Sequence, residues 1–77
     1  MTAEDVFRAA DDRVHAAELS GDTEVLAAAL RVRALAWRAW AATFPPDARE
    51  RTGATLAALR DDVDADRLSG GEHRSGR

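Results

Sequence analysis

The chain has 77 residues, a formal net charge of −3 and no cysteine, so it makes one small domain without disulfides or thiolate metal sites. The acidic balance speaks against general affinity for nucleic acid or anionic membrane. No stretch reaches the ~20 apolar residues of a membrane span, and the N-terminus MTAEDVFRAADD lacks signal-peptide regions, so a soluble cytoplasmic protein is expected.

A first helix is predicted at about residues 3–19. Thr2 suits its N-cap, with Asp5 three residues on as a capping box. Val6, Phe7, Ala10, Val14 and Ala17 make one narrow apolar stripe, and Asp11, His15 and Glu18 lie on the opposite flank. Ser20-Gly21 ends this helix, with Gly21 fitted to a left-handed terminus.

A second helix is predicted over residues 22–44, DTEVLAAALRVRALAWRAWAATF, a run without Gly or Pro that carries both tryptophans. Asp22 is its cap. Leu26, Leu30, Trp37, Trp40 and Phe44 share one side, Val25, Val32, Leu35 and Ala39 form a second apolar flank, and Arg31 and Arg38 hold the polar edge. A helix apolar over so much of its circumference sits between neighbours.

Pro45-Pro46 stops this helix, and Pro46 is expected at the first position of a third one, over about residues 46–67. Thr52, Leu56, Leu59 and Val63 are spaced four, three and four, a coiled-coil-like seam. Gly53 weakens it by about 1 kcal/mol relative to Ala. Asp61, Asp62, Asp64 and Asp66 oppose the dipole at its end, so fraying is expected, followed by a disordered tail over residues 69–77.

These elements predict an all-α domain over residues 1–68. It is a three-helix up-down-up bundle, or a helical hairpin with a long central helix. Much of the 45% hydrophobic content is alanine, which buries little area. A domain this small hides only about 60% of its unfolded surface, so completion by oligomerisation, as a homodimer, is expected.

Arg33, Trp37 and Trp40 project from one helix face. Arg and Trp are the residues enriched at interface hot spots, and Arg over indole gains roughly 0.5–2 kcal/mol. The competing reading is internal: the indoles fill the core and Arg33 pairs with an Asp of the first or third helix. Partner-binding candidates are therefore Val25, Val32, Arg33, Leu35, Trp37 and Trp40.

Asp62, Asp64 and Asp66 have the spacing that opens an EF-hand calcium loop, but Arg67 stands where that loop needs Gly and His73 where it needs Glu. A solvated acidic helix end, or a partner for a basic surface, are the other readings. Asp11, Asp12, His15 and Glu18 offer carboxylate–His spacings of metal sites, but only once in the chain. Arg31, Arg38, Arg49 and Arg51 would serve a DNA-binding regulator, although acidic residues are interspersed. Catalysis finds no Cys, Tyr or Lys, and Ser20, Ser69 and Ser75 have no base at a suggestive spacing. No enzyme, no cofactor and no metal are expected.

The stretch ELSGDTEVLAAALRVRA resembles the turn of a tetratricopeptide-type helical hairpin over residues 7–40. Ala10, Arg13, Val14 and Ala17 stand where that family has its Trp, Leu, Gly and Tyr, and no ~34-residue repeat follows, so no binding residues are carried over. All 11 basic residues are Arg, and Lys, Asn, Ile and Tyr are absent, which points to GC-rich coding DNA and an actinobacterial source. The function expected is a small non-enzymatic interaction protein: an adaptor, an inhibitor or antitoxin-like factor, or a regulatory subunit. The alternatives are a DNA-binding transcriptional regulator and a calcium-binding accessory protein.

Overall fold

The computed structural model describes residues 1–75, with side chains as far as Ser69. It holds three helices, α1 (Ala3–Ser20), α2 (Thr23–Ala41) and α3 (Arg49–Ser75), and no strand among the described residues.

The ends follow the local chemistry. Thr2 and Asp5 form the capping box of α1: the Asp5 N–H donates to Thr2 Oγ1 at 3.1 Å and the Thr2 N–H donates to Asp5 Oδ2 at 3.2 Å. The backbone bond from Thr2 is the main reason that the Asp5 carboxyl is held below its ordinary pKa. Gly21 closes α1 at φ +74°, a conformation that suits glycine. Asp22 Oδ1 then accepts from the N–H groups of Glu24 and Val25 at 3.0 and 3.3 Å, starting α2 one residue later.

Three boundaries differ from expectation. Helix α2 ends at Ala41 rather than Phe44. Pro45 disfavours the helical region for Phe44, and the chain tightens: the Thr43 and Phe44 N–H groups donate to Trp40 O and Ala41 O, three residues back. Pro46 does not open the third helix, because Ala48 N–H closes a turn onto Pro45 O at 3.0 Å and α3 begins at Arg49. At the other end the backbone is helical as far as Ser75, through most of the segment expected as a tail; residues 76 and 77 lie outside the described residues. Ser69 ties down the start of that segment, donating to Ala65 O at 2.8 Å and accepting from Arg31 at 2.9 Å.

Helix α2 packs against both others, and its partners run in the opposite sense along each. Phe7, Asp11 and Val14 of α1 stand against the Trp37, Arg33 and Leu30 levels of α2. On α3, Arg31 meets Asp66 and Ser69 while Arg33 meets Asp61. The buried apolar residues are all alanine except Val14 and Leu30. Ala27, Ala34 and Ala41 fall on one face of α2 by helical spacing and Ala29 and Ala36 on another, and they are buried together with Ala54, Ala58 and Ala65 of α3 and Ala10 and Ala17 of α1. Small side chains let the helices approach closely but contribute little burial each.

The rotation of α3 corrects the sequence reading. Leu56, Leu59 and Val63 are 59, 50 and 49% exposed, so the predicted seam faces outward, and Ala54, Ala58, Asp61 and Ala65 face α2 instead. Both stripes recur every three or four residues. The Asp61–Arg33 pairing and the alanine faces select the second. Gly53 lies on α3, and beyond the adjoining helix backbone no described atom stands within 4 Å of where a Cβ would be. Gly53→Ala should therefore stabilise the chain by roughly 0.5–1 kcal/mol, read as a higher urea midpoint at unchanged slope. A lower midpoint would mean that Cβ meets something at that site.

Candidate functional site

Two surfaces compete: the aromatic face of α2, between α1 and α3, and its outer flank. Arg33 lies at the centre of the first. Its Nε and Nη2 donate to Asp61 Oδ2 and Oδ1, both at 2.8 Å, and its Nη1 donates to Asp11 Oδ1 at 2.8 Å. One guanidinium thus fastens α1 and α3 to α2, with the forked geometry of a bidentate carboxylate pair. The Asp61 bonds hold the Arg33 pKa above its ordinary value, against the lowering effect of burial, and Asp11 adds to them. Asp61 is the buried charge among the described residues, at 3% exposure, and no buried side-chain N or O atom there lacks a partner.

Next to this clasp the rings gather. Phe7 stands 4.2 Å from Trp37 and 5.1 Å from Trp40, the two indoles stack at 5.8 Å with 9° between their planes, and Phe44 is 6.5 Å from Trp40. Both indoles are half-buried. Arg33 directs its guanidinium at carboxylates on the two flanking helices. Of the candidate partner-binding residues, Arg33, Trp37 and Trp40 are therefore together on the half-buried aromatic face of α2, and Val25, Val32 and Leu35 are apart from them.

Val25, Val32 and Leu35 are exposed by 48, 43 and 66% on the opposite side of α2. With Ala28 and Ala39 they follow a heptad: Val25, Val32 and Ala39 at a, Ala28 and Leu35 at d. A shallow groove runs beside them against α1, lined by Val6, Ala9, Arg13 and Ala16. These four also follow a heptad, with Val6 and Arg13 at a and Ala9 and Ala16 at d. In that frame Ala10, Ala17, Ala29 and Ala36 are all e positions, and all are buried inside the hairpin. Hydropathy alone groups Val6 with Phe7 and hides the α1 row; its signal is the three–four spacing of Val6, Ala9, Arg13 and Ala16.

The other constellations disperse. Asp62 accepts from Arg38 at 2.6 Å and Asp66 pairs with Arg31 at 3.5 Å, and the Asp62–Asp66 run is helical rather than a loop. Asp11 turns to Arg33, and His15 Nδ1 lies 2.9 Å from the Asp11 carbonyl. Arg51 donates to Phe44 O at 3.3 Å and Arg49 is exposed, while Arg31 and Arg38 reach carboxylates of α3. Among the described residues no group of three His, Asp or Glu side chains converges as metal ligands would, and no helix is long and apolar enough to cross a membrane.

No protein-family model, curated protein or solved structure shows a significant match to this chain.

Proposed function

We propose that the protein is a small non-enzymatic helical interaction module, acting in the cytoplasm as an adaptor, an inhibitor or antitoxin-like factor, or a regulatory subunit. Its hairpin, up-down-up with α3 added, is completed by another helical surface. The observation that carries this reading is the outer heptad of α2. Val25, Val32 and Leu35 lie in register on one face, flanked by alanines, and among the described residues they stay 48, 43 and 66% exposed. Such a row in water is the surface a helical partner covers.

Leu35→Asp is the direct test, because Leu35 is two-thirds exposed and contributes little to the monomer. The wild-type chain should run heavier than its 8.3 kDa monomer mass at high micromolar concentration. The variant should return to that mass with its helical circular dichroism unchanged. A variant that associates as strongly as wild type would remove the α2 flank from the interface.

A further inference from the structure

We infer that the outer face of the α1–α2 hairpin docks a second copy of this chain, with α1 of each copy antiparallel to α2 of the other about a two-fold axis along the helices. This rests on the interaction reading above and names its partner. The argument is in the g positions of the two heptads. The charged pairs among them are Asp5 and Asp12 on α1 and Arg31 and Arg38 on α2, all exposed; the g positions next to the α1–α2 turn are Leu19 and Glu24. Each charged pair is seven residues apart, about 10.5 Å along a helix. Away from the turn, one edge of the face is thus acidic and the other basic, at the same spacing.

The symmetry follows from that asymmetry. Two hairpins can stack about an axis along the helices or about one across them. An axis across the helices lays α1 on α1 and α2 on α2, so Asp faces Asp and Arg faces Arg. An axis along the helices lays α1 on α2, and antiparallel pairs bring g against g. Asp11 bonds to Arg33 within the hairpin, which sets the levels of the two helices. At those levels Asp12 comes opposite Arg31 of the partner copy, and Asp5 opposite Arg38 of the partner copy.

The arginines are free to do this. Arg31 and Arg38 each reach α3 through Nη2, and a guanidinium has five N–H donors. Among the described residues Asp12 makes no ion pair. Two helices about 27 Å long and together roughly 20 Å wide present about 500 Å² per copy, or ~1,000 Å² in the dimer. That is the lower limit of a specific interface, so association in the micromolar range is expected. Arg13 is the charged residue within the a and d rows, and the axis brings it near its own copy, which keeps the dimer weak.

A charge exchange tests the arrangement. Asp12→Arg and Arg31→Asp should each weaken self-association at least tenfold, measured by sedimentation equilibrium. Their equimolar mixture should form a heterodimer at a concentration where neither variant dimerises, because each Asp–Arg position is then occupied by opposite charges. Arg31 and Asp66 pair at the surface, at 48 and 76% side-chain exposure, so the loss of that pair leaves the fold intact; Asp5→Arg with Arg38→Asp is the second exchange, read only with helical circular dichroism retained, because Asp5 also caps α1 and Arg38 also pairs with Asp62. Arg13→Ala should tighten the dimer. No heterodimer in either mixture overturns the arrangement. If Leu35→Asp still dissociates the wild-type assembly, the interaction reading survives that loss. A wild-type chain that stays monomeric to millimolar concentration overturns the second copy as occupant.

Discussion

Arg33→Met is expected to destabilise the folded chain by about 3–5 kcal/mol, the cost of removing one partner of a buried ion pair. The whole stability of a domain this size is roughly 4–12 kcal/mol, so the variant should be largely unfolded at 37 °C. The cost comes from what is left behind. Asp61 has a side chain 5% exposed, and both its oxygens are bonded to Arg33. Without the guanidinium it is a carboxylate out of water with no donor. Asp61→Leu should cost less, because the Arg33 side chain is 21% exposed and keeps Asp11. The double variant Arg33→Met, Asp61→Leu should recover most of the loss, since an apolar pair of similar volume needs no compensation. Urea unfolding followed by circular dichroism gives the three values. An Arg33→Met chain within about 1 kcal/mol of wild type would show that the clasp is not what joins α3 to α2.

Arg33 also shows where the sequence was legible. An arginine on the apolar side of a helix needs a carboxylate, and the two candidate helices were readable from composition. Which aspartates it takes depends on the rotation of α3, and that rotation is invisible in periodicity. Leu56, Leu59 and Val63 make a better apolar stripe than Ala54, Ala58 and Ala65, yet they face outward. Hydropathy ranks faces by side-chain size, whereas close helix approach and an ion pair favoured the smaller face. The caps were readable because they are local: Thr2 and Asp22 bond within three residues of themselves, and Gly21 needs only its own left-handed φ. The Pro45–Ala48 turn was not, since Pro46 suits a turn as well as a helix start. The outer flank of α2 was legible as apolar. Its match with the α1 row needed the hairpin register, which alanines at four e positions set.

Trp37→Ala is the second large effect, and it separates the aromatic face from the outer flank. Trp37 lies against Phe7 at 4.2 Å and stacks with Trp40. Replacing a core tryptophan by alanine costs about 3–5 kcal/mol, and the half-buried indole sets this case near 3. The loss should fall unevenly. Helix α3 keeps its alanine face, the Arg33–Asp61 pair and the Arg38–Asp62 pair. Helix α1 holds to α2 through alanines, Val14, the Asp11 bond and Phe7, so Phe7 is its one aromatic anchor. Residue-resolved hydrogen exchange should show the α1 amides losing protection first while those of α2 and α3 are less affected. The α1 row of the outer face would loosen with it, and self-association should weaken in step, though Trp37 itself is far from that surface. The opposite pattern, an intact α1 with association abolished, would place the indoles in the interface and return the outer flank to solvent.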